Sequence, residues 1–165
     1  MGTAAKLGVT SYTTPSDREV VITRVVDAPR ELVWKVWTSP EHIPRWLVGP
    51  PGWTMPVCEM DLRPGGKWRY VWRQGDGTEM TLSGLVREVV PPSRLVTTER
   101  WGPEWPETLN TMALTEAEGL TTITLTVLYP SKDARDAALQ TGMKEGMEAG
   151  FARLDALLRS LVEGN

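Results

Sequence analysis

The chain has 165 residues, of which 41% are hydrophobic and 24% are charged, and its formal net charge is −3. This length predicts one domain with a hydrophobic core, while the mild acidity and the lack of any Lys/Arg block argue against nucleic-acid binding. One cysteine excludes an internal disulfide, and the absence of both a secretory signal and an apolar run of about 20 residues predicts a cytoplasmic protein without membrane insertion.

The first elements are predicted from β-branched residues and prolines. Residues 1–16 are small, polar and aperiodic, so we expect a flexible tail ahead of a single domain at 17–165. Residues 18–26 are rich in Val, Ile and Thr, which predicts a strand. Pro29 and Pro40 each stand where the first turn of a helix tolerates proline, so two short helices should follow, the second ending near Trp46.

After the Pro/Gly-rich residues 49–52, apolar and polar residues alternate with a period of two. This alternation predicts a hairpin with one dry face and a turn at residues 64–66. Further strands are expected near residues 80–90, 95–101, 109–115 and 120–129. Together with the first strand these make about seven strands, joined mostly by short turns into an antiparallel sheet.

Beyond residue 131 the apolar residues recur every three or four positions. This spacing predicts one helix of about 25–30 residues, roughly 40 Å long. Gly142, Gly146 and Gly150 recur every four residues beside the apolar stripe. They either let the helix pack closely on a strand or leave space for a ligand next to the flexible side chains of Met143 and Met147.

The widths of the two main elements do not match. A helix is about 10 Å across, whereas a sheet of six or seven strands is about 30 Å wide. The helix can cover the sheet only if the sheet curls around it, with the two short helices closing the remaining gap. We therefore predict an α+β fold with an apolar hollow beside the helix, and the eight Trp residues either fill the core or line this hollow.

Several motifs, in this order, resemble a known superfamily. They are Val-Asp-Ala-Pro-Arg-Glu-Leu-Val-Trp from Val26 to Trp34, Ser39-Pro40-Glu41-His42 followed by Arg45-Trp46, Asp61-Leu62-Arg63-Pro64-Gly65-Gly66, and Gly146-Met147 ahead of Leu154. From about residue 18 to 162 the chain resembles the START-like (SRPBCC) helix-grip superfamily, and within it the branch similar to the C-terminal domain of the Hsp90 ATPase activator (AHSA1-like). The resemblance implies a curved antiparallel sheet of six to seven strands wrapped around one long C-terminal helix, with two short helices after the first strand.

The resemblance also implies a hydrophobic cavity between the sheet and the long helix. Members of the superfamily bind lipids, polyketides or plant hormones, some catalyse cyclisation or dehydration, and one branch acts on a chaperone. This chain lacks the separate N-terminal domain of such co-chaperones, so we expect no chaperone contact. The main prediction is binding of a small hydrophobic molecule. An enzyme of the cyclase or hydrolase type and an interaction module, chaperone-directed or homodimeric, are the alternatives.

The residues expected to line the cavity lie on the dry face of each strand and on the inner face of the helix. They are Trp68, Tyr70, Trp72, Met80, Leu82, Trp101, Asn110, Met112, Met143 and Met147. Nothing in the pattern indicates a cofactor or a metal. His42 is the only histidine, and Cys58 lies on the dry side of its strand, where a thiol is usually inert, so we assign both to structural roles.

Glu99 is the main candidate for catalysis, with Tyr70 as the alternative acid or base, and the pattern leaves the orientation of Glu99 open. If Leu95 and Thr97 face inward, Glu99 enters the cavity, where burial would raise its pKa and make it a proton donor or a ligand anchor. If the opposite side of the strand faces inward, Glu99 lies in water. An inward Glu99 would need an arginine to compensate its charge or to pair with it, and the candidates are Arg69, Arg73 and Arg100.

Overall fold

The computed structural model describes residues 6–48 and 51–164, and these form one open, curved antiparallel sheet with four helices. The elements in chain order are β1 (Thr10–Thr13), β2 (Glu19–Val26), α1 (Arg30–Thr38), α2 (Ile43–Trp46), β3 (Trp53–Met60), β4 (Lys67–Gln74), β5 (Glu79–Val90), β6 (Arg94–Glu99), β7 (Thr108–Ala117), β8 (Leu120–Leu128), α3 (Lys132–Leu139) and α4 (Met143–Glu163). The strand order in the sheet is β1-β2-β8-β7-β6-β5-β4-β3. The predicted α+β class is confirmed, while residues 1–5 of the predicted tail and residues 49–50 of the predicted chain break lie outside the described residues.

The helices α1 and α2 are the two short helices predicted after the first long strand. Pro29 is the N-cap of α1, and Pro44 lies in the first turn of α2. The expectation that Pro40 stands in the first turn of the second helix is wrong, because Pro40 lies in the turn before Ile43. The indole of Trp46 joins them, because its Nε1 donates to the carbonyl oxygen of Val36 at 2.9 Å and its ring lies 4.6 Å from that of Trp37. The helix α2 also packs against α4.

One strand, β1, is missing from the sequence prediction. Thr10–Thr13 pairs with residues 21–24 of β2, so the expectation of a loose tail is wrong for this segment. Two side-chain contacts hold it: Arg24 Nη1 donates to Thr10 Oγ1 at 2.8 Å, and the Tyr12 hydroxyl donates to Glu148 of α4 at 3.0 Å. Four mostly polar residues at a sheet edge show too little alternation to be recognised as a strand from sequence.

The C-terminal helix is interrupted, which corrects the prediction of one helix of about 25–30 residues. The side chain of Ser131 caps α3 by accepting from the Ala134 N–H at 3.1 Å. Gln140 is the C-cap that ends α3. The Thr141 hydroxyl then donates to the carbonyl of Ala138 at 2.7 Å. Gly142 follows as the N-cap of α4. Thr and Gly are poor helix formers. The remaining helix, α4, has 21 residues and is about 32 Å long, and no described helix is long and apolar enough to cross a membrane.

The hydrophobic core lies between the inner face of the sheet and the C-terminal half of α4. Phe151, Leu154 and Leu158 of α4 are at most 2% exposed and pack against the inward side chains of the strands. The N-terminal half of the same helix is covered less well, since Met143 and Met147 are only partly buried against this core. Any ligand on the inner face of the sheet would therefore meet the helix at its N-terminal half.

Arg24 is a buried cation on the inner face of β2, and it ties the sheet to α4. It is 5% exposed, its Nη2 donates to Asp155 Oδ2 at 2.5 Å, and its guanidinium lies 5.0 Å from the centre of the Phe151 ring. We expect Asp155→Ala to lower the free energy of unfolding by about 2 kcal/mol, because it leaves a buried charge without its main partner. Urea unfolding checks this, with Glu79→Ala as the control. That variant breaks an exposed pair with Arg73 and should cost less than about 0.5 kcal/mol, and equal losses would contradict the prediction.

Candidate functional site

A row of aromatic side chains crosses the inner face of β4. Trp68, Tyr70 and Trp72 lie on one face of the strand and are each at most 6% exposed. Their ring centres are 4.9 Å apart between Trp68 and Tyr70 and 6.0 Å apart between Tyr70 and Trp72. Trp101 continues the row beyond the end of β6, stacking on Trp72 at 5.5 Å with an angle of 16° between the rings. We call these four residues the aromatic row.

Both buried indoles of the row are held by hydrogen bonds to backbone carbonyls. Trp68 Nε1 donates to Thr98 O at 3.1 Å, and Trp72 Nε1 donates to Leu47 O at 2.8 Å. The first bond requires Gly84, because a Cβ atom at that position would lie 2.9 Å from Trp68 Nε1 and only 1.8 Å from Thr98 O. The row is therefore a fixed surface.

Glu99 faces inward, which answers the question that the sequence pattern leaves open. In the ladder between β6 and β7, Glu99 pairs with Thr108 and Thr97 pairs with Asn110, so these side chains share one face of the sheet. Asn110 Nδ2 donates to Glu99 Oε2 at 2.6 Å, and Trp101 Nε1 donates to Glu99 Oε1 at 3.1 Å. The Thr108 hydroxyl donates to Asn110 Oδ1 at 2.7 Å, which orients the amide so that its N–H groups point at the carboxylate. We call Glu99, Asn110 and Thr108 the polar cluster.

Burial dominates the electrostatics of Glu99. It raises the pKa of this carboxyl from 4.5 to about 7, and the hydrogen bond from Trp101 opposes the shift without cancelling it. The side chain nevertheless keeps a partial exposure to solvent. Glu99 can thus exist in both protonation states near neutral pH.

The arginine expected beside an inward Glu99 is not there, and this corrects the sequence analysis. Arg69 pairs with Glu59, and Arg73 pairs with Glu79 on the outer face of the sheet. Arg100 is exposed and joins β5 through backbone hydrogen bonds with Ser83. Within residues 6–48 and 51–164, Glu99 makes no ion pair, and its partners are an amide and an indole.

The charge of Glu99 raises the pKa of two nearby tyrosines. Burial raises the pKa of Tyr70, and the charges of Cys58 and Glu99 raise it further. Burial and the charge of Glu99 raise the pKa of Tyr129 to about 12, while Arg135 acts in the opposite direction. Both phenols therefore stay protonated near neutral pH, and each has a hydroxyl that can donate a hydrogen bond.

The other residues predicted to line a cavity fall into three groups. Leu82, which pairs with Tyr70, and Met112 are buried, and Met143 and Met147 are partly buried against the hydrophobic core. Met80 pairs with Trp72 but is 44% exposed, so it lies at the open end of the face and not in its interior. Trp101 is 40% exposed although one ring face is stacked.

Two of the surface cavities in the described part of the chain have no member of the aromatic row in their lining. One of about 350 Å³ lies between the N-terminal segment and the C-terminal end of α4, where Leu7 and Val162 line it. The other, of about 520 Å³, lies on the hairpin of β3 and β4 near Met60 and Lys67. The buried indoles of the row belong to the same core cluster as Phe151, Leu154 and Leu158 of α4.

The glycines of α4 are not explained by close packing. A Cβ atom at Gly146 would meet no atom within 4 Å, and one at Gly150 would lie 3.9 Å from Trp46 O and 4.0 Å from Leu47 Cδ1. Leu47 also accepts the hydrogen bond from Trp72. Gly150 therefore lies beside the residue that binds the Trp72 indole, whereas Gly146 faces solvent.

The structure also places the residues to which the sequence analysis assigned no chemistry. Cys58 is partly buried, and burial raises its pKa to about 11, so it is a neutral thiol at physiological pH. His42 is 9% exposed at the start of α2. No group of three metal-ligating side chains occurs among the residues that are described. Sequence reasoning missed Thr108 and Tyr129, because it is the cross-strand register that brings Thr108 next to Glu99.

Comparisons with a protein family and with solved structures support the fold described above. A family model described as Activator of Hsp90 ATPase homolog 1-like protein matches residues 27–159. A crystal structure of a protein from Rhodobacter sphaeroides is similar at 32% identity and a TM-score of 0.88, covering 92% of this chain and 98% of that one.

Two further crystal structures are similar over most of the chain. A protein from Nitrosomonas europaea has 26% identity and a TM-score of 0.80, covering 91% of this chain and 99% of its own. One from Mycobacterium smegmatis has 25% identity and a TM-score of 0.77, covering 90% and 97%. No curated protein matches the sequence.

Proposed function

Because the chain belongs to the family of Activator of Hsp90 ATPase homolog 1-like proteins, whose helix-grip fold often binds ligands in a cavity, we propose that it binds a small, largely apolar molecule at the open end of the aromatic row. The observation that carries this proposal is the continuity of the row from the buried indoles of β4 to the exposed ring of Trp101. A rigid apolar surface that reaches solvent next to a few polar groups is typical of a ligand site.

The cover over this surface supports the same function. Met143 and Met147 are partly buried against the hydrophobic core. Methionine side chains rearrange at low cost, so they can move aside for an apolar guest and then pack on it. The ligand would thus enter beneath the N-terminal half of α4, where the helix contributes least to the core.

A substitution that fills this space should block binding. We expect Met147→Trp to weaken the binding of the neutral probe N-phenylnaphthylamine at least about tenfold, because the larger side chain occupies the guest's position. Val162→Trp is the matched control, since it adds the same indole to an exposed position near the other end of α4. Probe fluorescence measures both affinities. Unchanged binding in Met147→Trp, or a lack of probe binding to the parent protein, would contradict the proposal.

A second candidate is an enzyme in which Glu99 transfers a proton. The specific observation in its favour is the pKa of about 7, since a group that titrates near the working pH is an efficient general acid or base. A phenol and an amide lie close to the same carboxyl. An NMR titration that gave Glu99 an ordinary carboxyl pKa would remove this candidate.

A further inference from the structure

We propose that the molecule bound at this face carries a protonated amine on an apolar body, and that the carboxylate of Glu99 receives the amine beside the indole of Trp101. This inference rests on the proposed binding function and names the chemical class of its ligand. Three features of the polar cluster and its surroundings carry it: the hydrogen-bonding groups around Glu99, the charge balance, and the aromatic surface.

The neighbours of Glu99 donate hydrogen bonds to its carboxylate. The carboxylate can accept more hydrogen bonds than these, so it can bind a further donor. A carboxylate has about four acceptor positions, and only the Asn110 amide and the Trp101 indole donate to this one. The amide cannot easily turn its oxygen toward Glu99, because Thr108 donates to that oxygen. A ligand group that binds Glu99 in its ionised form must therefore bring an N–H or O–H donor.

The charge of Glu99 is not balanced by a basic residue among those described. The three candidate arginines, Arg69, Arg73 and Arg100, make other contacts. Arg135 of α3 is held by Asp136 and by the backbone oxygen of Ser16. A buried carboxylate without a cation is costly, whereas a buried carboxylate with one is much less so. An ammonium group on the ligand would supply the missing charge.

The surfaces around the carboxylate suit a cation better than a neutral donor. Trp101 stacks on Trp72 with one face and remains 40% exposed, so part of its ring borders the approach to Glu99. The face of an indole attracts an ammonium group, and the attraction strengthens where water is excluded. The rest of the aromatic row would hold the apolar body of the same ligand.

The pH dependence of such binding follows from the groups around Glu99. From β4 it is faced by Tyr70, from the end of β8 by Tyr129, and from β7 by an amide and a hydroxyl. Cys58 acts on Tyr70 and Arg135 acts on Tyr129. On α4, the charged group of Lys144 lies over the Tyr12 ring, and Glu148 accepts from the Tyr12 hydroxyl. Glu99 is therefore the group in this neighbourhood that changes charge near pH 7.

Three probes with one apolar body separate the possibilities: n-octylamine, n-octanol and n-octanoate. At about pH 8 we expect calorimetry to show octylamine binding at least about tenfold more tightly than octanol, with octanoate the weakest. Glu99→Gln should abolish the preference for the amine and leave the affinity for octanol within about threefold. The matched control is Glu88→Gln, which neutralises an exposed glutamate on the neighbouring strand and should keep the preference.

A second measurement needs no variant. Between about pH 8 and pH 6 the affinity of the parent protein for octylamine should fall by up to about tenfold as Glu99 gains a proton, while octanol binding stays nearly constant. Equal binding of all three probes would overturn the amine inference and leave the proposed function standing. An amine preference that survives in Glu99→Gln would overturn the role of Glu99. Failure of octanol and of the neutral naphthyl probe to bind would overturn the proposed function itself.

Discussion

Replacing Gly84 with alanine is expected to lower the free energy of unfolding by about 3 kcal/mol. The new Cβ atom would lie 1.8 Å from the carbonyl oxygen of Thr98 and 2.6 Å from its carbonyl carbon. Both are backbone atoms of the neighbouring strand, so they cannot move without separating β5 from β6. The hydrogen bond from Trp68 to the same oxygen would be lost with them.

Gly146→Ala is the matched control for this prediction, and its effect should have the opposite sign. Gly146 is exposed inside α4, and an added Cβ would meet no atom within 4 Å. Alanine is the better helix former, so this variant should gain about 0.5–1 kcal/mol. Urea unfolding of both variants measures the difference. A loss below about 1 kcal/mol for Gly84→Ala would show that β5 and β6 are not in such close contact.

Glu99→Gln is expected to remove a pH dependence from the stability of the protein. Burial raises the folded-state pKa of Glu99 from 4.5 to about 7, so the folded protein binds this proton more tightly than the unfolded chain does. The stability that this proton contributes is fully present below pH 4.5 and is lost as the pH rises through about 7. After allowance for partial solvent access, the loss should be about 2–3 kcal/mol.

The measurement compares the variant with the parent protein at several pH values. Other groups also titrate in this range, so the informative quantity is the difference in unfolding free energy between the two proteins. This difference should shift in favour of Glu99→Gln by about 2–3 kcal/mol between about pH 4.5 and pH 8. Glu88→Gln, which alters an exposed pair with Arg94, should show no such shift. A difference that does not vary with pH would mean that Glu99 is solvated in the folded state.

The architecture could be predicted from sequence because its signals are local. An alternation of period two along β4 and β5, with turns at Gly-rich segments, is enough to indicate strands and their dry faces. The turn between β7 and β8 has both Glu118 and Gly119 at positive φ, a conformation that glycine adopts readily. A proline at the helix start correctly indicated α1, whereas α2 begins after Pro40 and has Pro44 in its first turn.

The details of the candidate site depend on non-local contacts, and these are not visible in the pattern. The inward side of β6 could not be chosen from sequence because residues 95–98 are all buried, on both faces of the strand. Only the register with β7 places Asn110 within hydrogen-bonding distance of Glu99. The requirement for glycine at position 84 likewise arises from the approach of a different strand.

The widths of the helix and the sheet do not determine how much space remains between them, because the size of the side chains also counts. An indole is among the largest side chains and buries a correspondingly large area. With Trp68, Tyr70 and Trp72 side by side on β4 and ring centres 4.9–6.0 Å apart, much of the space beside α4 is taken. This is why the proposed binding surface is the exposed end of the row and its methionine cover.

The two outermost strands of the sheet differ from the rest in a way that affects how copies of the protein can meet. At one border β1 offers only four residues, and at the other β3 shifts register between Thr54 and Val57, where Pro56 has no N–H to offer. Neither border can accept a long, regular neighbour, which is a common protection against fibre growth. Any pairing of two molecules would accordingly have to use side-chain surfaces, and crowded solutions of this protein should resist forming extended β assemblies.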